Sequence, residues 1–249
     1  MLRTIHPWIA IIAFLCFMSA CKPSPSDLFR AIDAGDVKAV KRAATVPSNV
    51  SAMRSGWTPL HVICNLNETS SVPAAARQEI VAVLIAAGAN VNGHGGAKET
   101  TGLTPLCFAA VFGLQSEAQL LLNAGADPNL HSTMSSSSLH YAVQGGNVDI
   151  VKLLLAHKAD PNFHSSHALE TAGMNSLHLA ARGIPRGGKR YDPPPRQAEM
   201  LRDLVAAGAD ISALDASGRT PRQVAEAFNQ PEAASLLREM ETANSDSNH

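Results

Sequence analysis

Two short phrases recur along this chain at a fixed separation, and that recurrence restricts the fold more than any other feature. Gly56-Trp57-Thr58-Pro59-Leu60-His61 returns as Gly102-Leu103-Thr104-Pro105-Leu106-Cys107. Shorter copies stand at Ser137-Ser138-Leu139-His140 and Asn175-Ser176-Leu177-His178, and Thr220-Pro221 opens a last one. The second phrase, Ala87-Gly88-Ala89-Asn90-Val91-Asn92, returns at Ala124-Gly125-Ala126-Asp127-Pro128-Asn129, His157-Lys158-Ala159-Asp160-Pro161-Asn162 and Ala207-Gly208-Ala209-Asp210-Ile211-Ser212. Thr104 to Gly125 and Ser137 to Lys158 are both 21 residues, while Gly125 to Ser137 and Gly208 to Thr220 are both 12. The period is therefore 33, stretched elsewhere by inserts of 9, 12, 4 and 5 residues. A unit this short cannot bury both of its faces, so neighbours must stack into a continuous core.

Each phrase has a local physical reading. Thr58, Thr104 and Thr220 supply oxygens that cap the free N–H groups of a helix start, and Ser137 and Asn175 preserve that role. Pro59, Pro105 and Pro221 follow at the first helical position, where a missing N–H costs nothing. Leu60, Leu106, Leu139 and Leu177 mark the inward side of a first helix; Leu84, Leu121, Leu154 and Leu204 mark that of a second. Gly88, Gly125 and Gly208 stop the second helix in the left-handed conformation. Lys158 stands in for glycine in its copy, an expected strain of about 1 kcal/mol. Apolar residues make up 45 % of the chain and aromatics only 4 %, which suits short, closely packed helices better than a β-sandwich.

The phrases and their period resemble the ankyrin repeat. That resemblance implies a mainly α ankyrin-repeat solenoid: stacked helix-turn-helix units joined by short β-hairpin loops, about six units including caps. The domain runs over 26–241, with units near 26–55, 56–92, 102–129, 136–162, 174–212 and 216–241. Residues 26–44 lack the Thr-Pro-Leu-His phrase and read as an N-terminal cap, with Arg30, Asp33, Asp36, Lys38 and Lys41 towards water. Residues 231–241 close the other end, and 242–249 read as a frayed polar tail.

The chain opens differently. Arg3 is the only charged residue before Lys22, and 5–20 are apolar apart from His6 and Ser19. The dense run 8–18 is 11 residues, short of the roughly 20 that a spanning helix needs. A basic start, a short apolar block and small residues after it describe a secretory signal over 1–20. Met18-Ser19-Ala20-Cys21 resembles the lipobox of bacterial lipoproteins. That implies acylation of Cys21, a tether over 21–25, and anchorage on the bacterial cell membrane or outer membrane, facing the periplasm. Each buried CH₂ adds ~0.8 kcal/mol, so several acyl chains hold firmly where one is marginal.

Candidate chemistry is sparse. Lys+Arg total 20 against Asp+Glu 21, a net charge of −1 that argues against nucleic acid as a partner. The resemblance gives His61, His140 and His178 a structural role, hydrogen-bonded to the neighbouring hairpin backbone; Cys107 breaks that network in its unit. His131, His157, His164 and His167 lack a carboxylate or cysteine at ligand spacing, so no metal site is expected. Four cysteines are too few for a disulfide framework. Cys64 and Cys107 are expected as buried free thiols, because helices stack about 8–10 Å apart and a disulfide needs Cα atoms within about 6.8 Å. Glu117 and Asp203 fall at usually apolar positions of second helices and are expected to be exposed through local slippage. Tyr191-Asp192-Pro193-Pro194-Pro195 reads as a stiff loop in the 12-residue insert. No nucleophile–base arrangement, catalytic residue, cofactor or phosphate loop is expected.

A solenoid of this kind offers hairpins as fingers and first helices as a palm. Partner contacts are expected at Trp57, Leu66, Leu103, Val111, Phe112, Met174, Arg182 and Arg219, because a contiguous apolar set at exposed positions marks an interface. The alternative is that inserts at 93–101 and 163–174 fold over these side chains. The function expected is a non-catalytic, lipid-anchored envelope scaffold that binds an unidentified protein. One alternative is a periplasmic inhibitor or immunity protein capping a secreted toxic enzyme. Another is an enzyme or metal-binding protein built on the loops.

Overall fold

The structure is a computed structural model that describes residues 22–66, 71–96, 102–132, 136–165, 172–186, 190–192 and 196–246. The signal segment, Cys21, His167 and Pro193-Pro194-Pro195 lie outside the described residues. The described helices are α1 (Pro25–Asp33), α2 (Val37–Ala43), α3 (Pro47–Val50), α4 (Pro59–Cys64), α5 (Ala74–Ala86), α6 (Pro105–Val111) and α7 (Gln115–Asn123). They continue as α8 (Ser138–Gln144), α9 (Val148–Ala156), α10 (Ser176–Arg182), α11 (Gln197–Ala206), α12 (Pro221–Ala227) and α13 (Pro231–Asp246). Strands β1 (Ile184–Arg186) and β2 (Arg190–Asp192) lie between α10 and α11.

The helices form two layers. First helices α1, α4, α6, α8, α10 and α12 pack each against the next, as do second helices α2, α5, α7, α9, α11 and α13. This is the expected solenoid of six helix pairs. Its core is the two leucine rows anticipated by register: Leu60, Leu106, Leu139 and Leu177 in one layer and Leu84, Leu121, Leu154 and Leu204 in the other, all buried.

Local chemistry sets the helix ends. Thr104, Ser137, Asn175 and Thr220 accept from the amides of Cys107, His140, His178 and Gln223. Thr58 departs from this pattern and makes no cap bond; its hydroxyl faces His61 Nδ1 at 2.7 Å. Gly88, Gly125 and Gly208 stop their helices at φ +86°, +88° and +90°, and Lys158 is forced to φ +65°.

The fingers are tied by an asparagine ladder that the sequence reading missed. Asn92 donates to Gly125 O and accepts from Asp127 N, at 3.1 and 2.8 Å. Asn129 does the same with Lys158 O and Asp160 N, and Asn162 with Gly208 O and Asp210 N. Recurrence of asparagine at one register was the available signal; Ser212 ends the run.

Several boundaries shift. Ser24 caps α1 in a reciprocal pair with Asp27, so Pro25 and Ser26 belong to the helix. Asn49, itself buried, donates to Pro23 O at 2.7 Å and Ala43 O at 3.0 Å, fixing the chain from Pro23 onward. At the other end α13 runs to Asp246, so the expected frayed tail is helical through that residue. Buried Leu237 and the Arg222–Glu241 ion pair at 2.9 Å hold it against the stack. The insert expected as a stiff loop pairs as an antiparallel hairpin, Ile184 opposite Asp192 and Arg186 opposite Arg190.

Glu117 overturns its expected exposure. It is 2 % exposed and accepts from Arg77 Nε at 2.6 Å, so α5 delivers a cation to an otherwise apolar position on α7. Asp203 is half-buried, 3.9 Å from Lys152 Nζ. Among the described residues no helix is long and apolar enough to cross a membrane.

Candidate functional site

The palm is built from the ends of the first helices and the fingers beside them. Trp57 follows the turn bridged by Arg54 and enters α4 through Thr58. Its ring meets Phe108 of α6 edge-on at 5.0 Å, and Phe108 stacks on Phe112 at 6.3 Å and 7°. Phe108 is buried; Trp57 and Phe112 are half-buried, as are Leu66, Leu103 and Val111. An aromatic row therefore crosses two units and keeps part of its surface open.

The inserts explain why the row is half-covered. Gly95 donates to Leu103 O at 3.0 Å and Gly96 to Gly56 O at 2.9 Å, laying the loop against the tryptophan. A Cβ at Gly95 would sit 2.5 Å from Trp57 Cε3, so only glycine permits that approach.

Further along, the expected exposure fails. Met174 is buried, and Ser165 N donates to Met174 O at 3.0 Å while Gly173 N donates to Ser165 O at 2.7 Å, which pairs the described ends of that insert beside it. Arg182 is also buried, at the end of α10 under the start of the hairpin insert. Arg219 is held by Asp215, Nε to Oδ2 at 2.9 Å, with its guanidinium 6.0 Å from the Phe228 ring centre. The structure thus joins Trp57 and Phe112 through Phe108, leaves Leu66, Leu103 and Val111 half-buried, and buries Met174 and Arg182.

The histidines are structural links between units. His61 Nε2 lies 3.0 Å from Gly93 O and 3.1 Å from Leu103 O. His140 Nε2 reaches Met174 O at 3.3 Å, and His178 Nε2 reaches Arg219 O at 3.0 Å. In His61 and His140 the Nε2–H donates to the carbonyl while Nδ1 accepts from the Thr58 or Ser137 hydroxyl; His178 Nδ1 lies 2.7 Å from Asn175 Oδ1. Burial pushes all three below the usual imidazole range, His140 to about 4. Where cysteine replaces histidine, the Thr104 hydroxyl donates to Cys107 Sγ at 3.3 Å.

Cys64 and Cys107 are free and buried, and desolvation raises both thiols, which makes them inert. Among the described residues no three histidine, cysteine or carboxylate side chains are grouped to hold a metal. His131 stacks on Phe163 at 5.2 Å instead.

What this arrangement offers is a rigid, partly apolar surface. Residues 28–132 and 118–187 match the family of ankyrin repeats in three copies. Neurogenic locus notch homolog protein 1 of Rattus norvegicus is 28 % identical over 225 residues, covering 83 % of this chain and 8 % of that protein. The Neurogenic locus Notch protein of Drosophila melanogaster is 32 % identical over 176 residues, 71 % of this chain and 6 % of that protein. The chain thus spans less than a tenth of the length of these relatives. Matched over more than half its length, by period and by helix pairing alike, the chain belongs to the ankyrin-repeat family.

Proposed function

We propose that this protein is a non-catalytic docking scaffold, held at a bacterial envelope surface by lipid on Cys21, that grips a partner protein with the first half of its palm. Ankyrin repeats are interaction modules in general, and that much follows from the family. The observation that carries the site is the half-open aromatic row of Trp57, Phe108 and Phe112, with Leu66, Leu103 and Val111 half-buried in the same two units. Large aromatic residues in a desolvated centre supply most of the affinity of such interfaces. The anchor rests on Met18-Ser19-Ala20-Cys21 and the apolar run before it.

Phe112→Ala tests the palm. It keeps Trp57 over Gly95 and is expected to weaken partner binding by about 2 kcal/mol, roughly 30-fold. Partners are captured by crosslinking and mass spectrometry on the native membrane-bound protein. Unchanged capture by the variant refutes the palm. Cys21→Ala tests the anchor: acyl-chain labelling should disappear and the protein leave the membrane fraction. A captured secreted toxic enzyme would turn the scaffold into an inhibitor using the same surface.

A further inference from the structure

We infer that the open end of the N-terminal unit is a docking face for an anionic phospholipid surface. This inference rests on the proposed anchorage at Cys21. The chain is pinned at Pro23 by Asn49 and capped at Ser24, so the tether expected over 21–25 is held against the domain from Pro23 onward. Residues 21 to 23 span at most about 7 Å of extended chain. A lipid at Cys21 therefore brings the N-terminal unit to the headgroups. That unit, and no later one, must face them.

Its charge suits such a surface. Residues 22–54 carry six cations and three carboxylates, in a chain whose net charge is −1. The carboxylates are occupied: Asp27 pairs with Arg30 at 3.3 Å, Asp33 with Arg54 at 2.5 Å, and Asp36 caps α2 by accepting from Ala39 N at 3.0 Å. Lys41 pairs with Glu79 at 2.6 Å. Lys22, Lys38 and Arg42 are exposed and have no acidic partner among the described residues. Lys38 and Arg42 stand four apart on α2 and share a face.

Between α1 and α2 lies a shallow cavity of about 440 Å³. Ala31, Ala34, Ala39 and Ala43 line it beside Pro23, and its charged lining is two cations, Arg30 and Arg42, with two carboxylates, Asp27 and Asp36; no later unit contributes to it. The cations left for lipid phosphates are therefore Arg42 at the cavity, with Lys38 one turn before it on α2 and Lys22 beside Pro23. Each such cation adds about 5-fold to association with an anionic leaflet.

The test is amine acetylation of the full chain, extracted from bacterial membranes and reconstituted in phosphatidylcholine vesicles with or without phosphatidylglycerol. Lys38 acetylation, read by mass spectrometry, is expected to slow at least about 5-fold with phosphatidylglycerol, while exposed Lys158 is unchanged. Arg42→Ala should return about 5-fold of that protection, and raised salt should remove it. Equal Lys38 rates in both vesicles, equal slowing of Lys158, or an Arg42→Ala chain as protected as the parent would each overturn the inference while leaving the anchor intact. A chain that fails to stay with either vesicle refutes the anchor instead.

Discussion

Removing the Glu117 carboxylate is expected to cost this protein far more than its single hydrogen bond suggests. The side chains of Arg77 and Glu117 are 9 % and 2 % exposed and meet at 2.6 Å, between α5 and α7. Glu117→Ala leaves a guanidinium buried, with a 3.4 Å contact from Nη1 to Leu66 O its one remaining hydrogen bond among the described residues. Breaking one partner of a buried pair costs about 3–5 kcal/mol, a large fraction of a stability of about 5–15. The exposed Lys41–Glu79 pair has the same 2.6 Å separation, yet Glu79→Ala should cost about 0–1 kcal/mol, because water screens and solvates both ions. Replacing both buried ions, Arg77→Met with Glu117→Leu, should be neutral or stabilising, since neither charge is then desolvated. Urea unfolding followed by Trp57 fluorescence reads all three, because Trp57 lies in the same unit as Arg77. In a stack held by nearest-neighbour contacts, the loss should appear first as exchange of α4 and α5 amides. A Glu117→Ala cost below about 1 kcal/mol, or a double variant as unstable as the single one, refutes this account.

Other predictions follow from single positions. Lys158→Gly should raise stability by about 1 kcal/mol, seen as a higher Tm, because φ +65° strains any residue bearing a Cβ. Gly95→Ala should destabilise by about 1–3 kcal/mol, since the new methyl meets Trp57 at 2.5 Å and His61 at 2.7 Å; a Tm unchanged from the parent would refute the packing. Acid should weaken the fold through His140, which titrates at about 4 when folded against 6.5 in an open chain. The folded state holds this imidazole neutral, so its contribution is complete above pH 6.5 and fades as pH falls towards 4, by about 3 kcal/mol. His61 and His178 shift in the same direction and add to the loss. Denaturation midpoints flat between pH 7 and 4 would contradict this.

The sequence by itself determined the parts whose causes are local or periodic. Helix starts at Pro59, Pro105 and Pro221, stops at Gly88, Gly125 and Gly208, the two leucine rows and the histidine links follow from chemistry repeated within each 33-residue unit. Even the strained Lys158 was legible, because one missing glycine stands out against its copies. The exposure expected along the palm was legible only in part: Trp57, Leu103, Val111 and Phe112 are half-buried, while Met174 and Arg182 are buried. Their exposure depends on the inserts, which break the period and carry no register of their own. Tertiary structure alone decided that Ser165 pairs with buried Met174, that Asn49 holds Pro23 from 26 residues away, and that Arg77 reaches Glu117 across 40 residues of chain. Those partners meet because stacking brings distant turns together, and whether a charge is buried or solvated is settled by what lies opposite it in the neighbouring unit.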